Sequence, residues 1–289
     1  MTTAPSEAGR ARWAAVRSLL SNWQGVVGLV LVIGFFASAL FASYIAPYDP
    51  NALDIPARLS GPSWQHLAGT DQLGRDTLSR LLFGGQVAVQ IVVVGVSVSL
   101  VIGVALGMIA AFGPRWLDAL LLLAFDSVRA FPTIILGLAT VALTGPSLWV
   151  VLTIVIVTAI PQYARVTRTS ALALRNTEFI QAERSLGASL PRILWHHILP
   201  NVIGPLLILA AMDAPVVVSI EAGLSFLGLG VRPPTASWGT ILNEGYLVIR
   251  DAPWMVVAAG IPLILTTLGF TFLAEALRDT FDPRMGKGR

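Results

Sequence analysis

Four charged side chains, Asp118, Asp126, Arg129 and Asp213, interrupt otherwise apolar sequence. A charge in such a setting costs several kcal/mol unless it is paired or faces water, so each marks an ion pair or a polar route. Asp126 and Arg129 stand three residues apart, which on a helix puts them on one face and lets them neutralise one another. Asp213 has no basic neighbour in the sequence to pair with. All three are candidates for lining a polar path through apolar surroundings, with a purely structural ion pair as the alternative for Asp126 and Arg129.

Hydrolytic and metal chemistry find no support. The chain has no cysteine, which removes disulfides, thiolate metal sites and thiol nucleophiles. It contains no G-x-x-x-x-G-K-[ST] phosphate loop, no His-Glu-x-x-His and no Gly-x-Ser-x-Gly. A non-catalytic chain without metal or cofactor of its own is expected, and His66 reads as solvated rather than as a ligand.

The elements that position these charges follow from composition. Of 289 residues, 55% are hydrophobic and only 12% charged, half the charge of an ordinary soluble domain. Too little charge remains to cover a water-facing globule. Apolar runs reach the length of about 20 residues that a helix needs to cross the bilayer. Six spans are expected in an all-α membrane protein: Gly25 to Ala46, Val87 to Phe112, Leu117 to Leu143, Leu148 to Tyr163, Val202 to Ala222 and Trp254 to Ala274. Pro132, Pro161, Pro215 and Pro262 fall in or near them as expected kinks. Residues 1–85 read as a tail, a first span and an outer loop, and 86–289 as the core domain. The basic residues before the first run do not resemble a cleavable leader, because that run is too long.

Orientation comes from the basic residues. Of the 19 Lys and Arg, only Arg58, Arg75, Arg80, Arg232 and Arg250 fall in the outer loops when the N-terminus is placed inside. Both termini are therefore expected in the cytoplasm. The sequence pI is about 9.8, yet the net charge is only +3 and the basic residues set topology, so no nucleic-acid partner is expected. In the first outer loop, Asp71, Arg75, Asp76 and Arg80 have helical spacing. They are expected to form either a self-paired surface helix or an external docking surface.

The longest inner segment, from Ala164 to Asn201, contains an elbow. Glu178 to Leu186 reads as a short helix stopped by Gly187, which is free to adopt the left-handed conformation. Ser189 is expected to cap a second helix with Pro191 in its first turn, and Pro200 to end it. Ile193, Leu194, Ile198 and Leu199 line one face of that helix, beside basic Arg184 and Arg192 and the pair His196 and His197. A lever docked in a partner's groove and a hairpin lying on lipid headgroups fit these residues equally.

At this point the sequence resembles a family. Gln181-Ala182-Glu183, three residues, Gly187 and then His197-Ile198-Leu199-Pro200-Asn201 are similar to the signature of ABC-importer permeases, in the peptide-transporter version. Gln181 and Glu183 depart from it, since the family usually has Glu and Ala there. Ala46-Pro47-Tyr48-Asp49-Pro50, Gly69 to Asp76, Ser225 to Gly230 and Leu277-Arg278-Asp279 resemble other parts of the C-type dipeptide and oligopeptide permeases. The resemblance implies a multi-pass subunit of the bacterial cytoplasmic membrane that passes peptides or similar small solutes. It implies a heterodimer with a homologous sister permease, an external solute-binding protein, and two cytoplasmic ATPases that bind ATP and Mg. In that reading Gln181, Ala182, Glu183, Gly187, Ser189, Arg192, His197 and Pro200 form an ATPase-coupling loop between spans four and five. An ion-coupled secondary transporter is the alternative, and would require an inverted repeat that the sequence does not display.

Overall fold

The computed structural model describes residues 19–281. Arg10, Arg12, Arg17, Arg284, Lys287 and Arg289, counted above among the 19 Lys and Arg for orientation, lie outside the described residues. Within them the chain is helical throughout, with turns and no extended strand.

Helix α1 (Trp23–Leu40) is followed by a short α2 (Ala42–Ile45) and an outer loop with one 3-10 turn (Ile55–Ala57). Helix α3 (Thr77–Gln90) passes through a π-helical turn (Ile91–Val96) into α4 (Ser97–Phe112), giving a continuous 36-residue apolar rod. The boundary drawn at residues 85 and 86 runs through α3. Helices α5 (Arg115–Ala130) and α6 (Thr133–Thr144) precede α7 (Leu148–Arg175). After α8 (Glu178–Ser185) and α9 (Leu190–Ile193), a second π turn (Leu194–Ile198) leads into α10 (Leu199–Phe226). Helix α11 (Trp238–Leu247) lies between α10 and the last helix, α12 (Pro253–Phe281).

Among the described residues, five helical rods are long and apolar enough to cross a membrane, and six if α5 and α6 count as one broken span. The expected third span is therefore not straight: α5 and α6 meet at 87°. Phe131, extended at φ −91° and ψ 128°, stands before Pro132. Proline bars its predecessor from the helical region and supplies no N–H, so the helix stops there. Pro161, Pro205, Pro215 and Pro262 are instead carried inside α7, α10 and α12, which a membrane bundle tolerates because neighbouring groups can satisfy the freed carbonyls. The fourth span continues past Tyr163 to Arg175, so much of the expected inner loop is helix.

Packing relies on small residues. Gly103 and Gly107, one turn apart on α4, let α7 approach so closely that a Cβ at Gly103 would lie 2.4 Å from Tyr163 Cβ, and one at Gly107 2.5 Å from the Ala164 carbonyl oxygen. In lipid, where burial supplies little drive between helices, such close approach is the main source of association. Phe35 on α1, Trp238 on α11 and Phe270 on α12 form an aromatic junction with ring centroids 5.8 to 5.9 Å apart. The Trp238 Nε1–H donates to the Leu81 carbonyl at 2.9 Å, tying α11 to α3.

Candidate functional site

The elbow is built by its turn. Gly187 adopts φ +82°, its N–H bonds the Arg184 carbonyl and the Ala188 N–H the Glu183 carbonyl, both at 3.0 Å. That pair of bonds satisfies the last carbonyls of α8 and reverses the chain. A Cβ at Gly187 would meet nothing within 4 Å, so the need for glycine here is conformational, not steric.

Two expectations for the second arm are corrected. Ser189 occupies the position before α9 but makes no capping bond with its side chain. Pro200 does not end the arm: the helix runs from Leu190 to Phe226 as one 37-residue rod. The π turn at Leu194–Ile198 widens the coil just ahead of Pro200, which relieves the clash between its ring and the preceding turn. The elbow is thus rigidly continuous with a spanning helix.

Its inner face is fully enclosed. Ile180, Ile193 and Ile198 are at most 1% exposed and pack with Met108, Tyr163, Val202 and Leu206 on α4, α7 and α10. The outer face carries exposed Gln181, Ala182 and Arg192 and exposed Phe179, Leu186, Leu190 and Trp195. The two atypical positions now have defined contacts: Gln181 Nε2 donates to the Asn176 carbonyl at 3.0 Å, and Glu183 Oε1 lies 3.5 Å from His197 Nε2. Asn201 Nδ2 in turn donates to the His197 carbonyl at 2.7 Å.

The charges along the spans pair differently from the expected Asp126–Arg129 contact. Asp126 bonds Arg165 of α7, and Asp118 holds Arg168 at 2.6 Å through both oxygens. Arg129, exposed on α5, forms no salt bridge among the described residues. Arg165 and Arg168 were assigned to a loop; the signal was present, since Ala164 to Arg175 contains neither glycine nor proline to stop α7. Asp213 is half-buried on α10 and faces Tyr163; among the described residues neither the tyrosine hydroxyl nor Asp213 Oδ2 makes a hydrogen bond of regular geometry.

The outer charges are neither a surface helix nor an exposed docking face. Asp71, Arg75, Asp76 and Arg80 are 1%, 8%, 3% and 2% exposed. Asp71 Oδ2 accepts from Arg75 Nε at 2.6 Å and from Arg80 Nη1 at 2.5 Å, while Arg80 also grips Glu244 of α11, with Nη2 donating to Oε1 at 3.0 Å. Asp76 caps α3 through Ser79 N–H at 2.7 Å and holds His66 Nδ1 at 2.9 Å. His66 is therefore packed, not solvated. Its ring also lies 4.9 Å from that of Tyr48. Glu244, far away in sequence, left no local signal of this role. Among the described residues, no group of three or more His, Asp or Glu is placed to hold a metal.

Residues 103–287 match the model of the binding-protein-dependent transport system inner membrane component. Residues 12–62 match that of the N-terminal transmembrane domain of oligopeptide transport permease C. The chain is 36% identical to the dipeptide transport system permease protein DppC of Alkalihalophilus pseudofirmus, over 94% of this chain and 89% of the relative. It is 38% identical to a putative peptide permease protein of Brucella suis biovar 1, over 92% and 88%. A putative peptide transport system permease protein of Brucella abortus biovar 1 is also 38% identical, over 93% and 90%.

Proposed function

The chain belongs to the binding-protein-dependent transport system inner membrane components, and from that premise we propose that it passes peptides across the bacterial inner membrane as one permease subunit of an ABC importer. The reading of peptides rests on the names of its relatives, which are dipeptide and peptide permeases. It pairs with a homologous sister permease, receives solute from an external binding protein and takes its energy from two cytoplasmic ATPases that hold ATP and Mg. No phosphate loop occurs in its own sequence. Both termini lie in the cytoplasm, on the basic side of the chain.

The elbow is the observation that carries this reading. It is seated on three helices through Ile180, Ile193 and Ile198, joins α10 without a break, and leaves Phe179, Leu186, Leu190 and Trp195 exposed. Apolar anchors with an adjoining arginine are what a groove on a partner takes up, and a stiff connection to α10 turns movement of that groove into movement of a span. Gln181, Ala182, Glu183, Gly187, Ser189, Arg192, His197 and Pro200 remain the proposed coupling residues. Asp126, Arg129 and Asp213 remain proposed for the path. The outer ion network acts as a fastening between outer segments.

The test is Gly187→Trp in the complete reconstituted assembly. Loss of substrate-stimulated ATPase activity, with the four kinds of subunit still co-purifying, is the expected result. Full stimulation in that variant would remove the lever from the account.

A further inference from the structure

The two ion pairs that join α5 to α7 are built differently. Arg168 and Asp118 meet fork to fork, Nε on Oδ1 and Nη2 on Oδ2, with side chains 25% and 23% exposed. Arg165 and Asp126 touch through one nitrogen and one oxygen, and their side chains are 39% and 65% exposed. The Arg165 Nε is enclosed without an acceptor. Arg129, one turn beyond Asp126 on α5, is exposed. One pair is saturated and the other is open.

Charges so exposed cannot border hydrocarbon. Arg165 stands 17 residues into α7, about 26 Å along its axis, toward the end that leads through Arg175 into the elbow. Water or a partner subunit near that end meets this need. Arg129, which forms no salt bridge among the described residues, adds an unmatched positive charge one turn from Asp126, and its guanidinium offers a planar donor edge suited to a second carboxylate.

We infer that Asp126, Arg129 and Arg165 form a transit site for a small zwitterion, taking the free C-terminal carboxylate of a peptide on Arg165 and Arg129 and its ammonium on Asp126. This rests on the peptide-import reading and deepens it. The substrate enters by exchange: its carboxylate replaces Asp126 on Arg165 while its ammonium replaces Arg165 on Asp126. One ion pair opens and two close, so the gain is small. A site on a path needs that, because binding must be weak enough for release. The saturated Asp118–Arg168 pair holds α5 in place during the exchange.

The experiment uses proteoliposomes containing the complete assembly, with a dipeptide and its C-terminal amide each supplied as the saturated complex with the binding protein. Wild type is expected to import the acid about tenfold faster than the amide, the scale of one charge-assisted hydrogen bond. In R165Q the acid rate is expected to fall towards the amide rate, and R165K is expected to restore part of the difference. R129Q, which removes no contact among the described residues, is expected to give the same change with a smaller amplitude and covers the case in which R165Q does not assemble. Equal acid and amide rates in wild type, or equal proportional losses for both substrates in R165Q and R129Q, would overturn the site. A wild-type assembly that imports neither peptide overturns the peptide reading itself.

Discussion

Asp71 and Arg80, nine residues apart, meet at 2.5 Å in the enclosed outer part of the molecule, where the same guanidinium also holds Glu244 from a segment 164 residues further on. One side chain thus joins the first outer loop to the short helix between the last two spans. The consequence is one end of the molecule fastened from within.

Removing Arg80 leaves Asp71, 1% exposed, and Glu244 with Arg75 as their one remaining counter-ion among the described residues, at 2.6 Å from Asp71 and 3.5 Å from Glu244. Arg80→Leu is expected to cost up to about 3–5 kcal/mol, the scale for breaking a buried pair from one side, with Arg75 offsetting part of it. Arg80→Lys is expected to recover only part of this, because an ammonium cannot present two parallel donors. Thermal unfolding of the detergent-solubilised assembly measures both, and equal melting of Arg80→Lys and wild type would contradict the two-carboxylate geometry.

Asp76 does two jobs, accepting from the Ser79 N–H at the start of α3 and from His66. Asp76→Asn keeps a capping oxygen, whereas Asp76→Ala loses both contacts. The alanine variant is expected to be about 1–2 kcal/mol less stable than the asparagine variant. Matching melting temperatures for the two variants would count against the cap.

At Gly103 a side chain has nowhere to go, with Tyr163 Cβ 2.4 Å from the position a Cβ would take. Gly103→Leu is expected to separate α4 from α7 and destabilise by at least the overpacking scale of about 1–3 kcal/mol. Gly34, where a Cβ meets nothing within 4 Å, supplies the control: Gly34→Leu is expected to have little effect in the same melting experiment.

The elbow turn separates conformation from bulk. With open space around it and φ +82°, Gly187→Asn is expected to retain most substrate-stimulated ATPase activity, since asparagine tolerates the left-handed region. Gly187→Val is expected to lose it, because a β-branched residue does not. A valine variant as active as the asparagine variant would show that the turn can be remade without the left-handed residue.

The amino-acid sequence alone determined the class of the protein and the turn of its elbow. Uninterrupted apolar runs set the spans because backbone polar groups in lipid must be satisfied within a helix. Gly187 set the turn because only its own backbone freedom was at stake. Pro132 lay in view, but whether a proline breaks or merely bends a helix depends on what surrounds it: α5 and α6 part at Pro132 while α7 continues through Pro161. The charges were legible as anomalies but not as partners. Asp126 found Arg165 rather than Arg129, and Arg80 found Glu244, because an ion pair is chosen by distance in space. Sequence spacing bounds only the pairs within one helix. The packing of α3 on α11 and of α5 on α7 decided the rest.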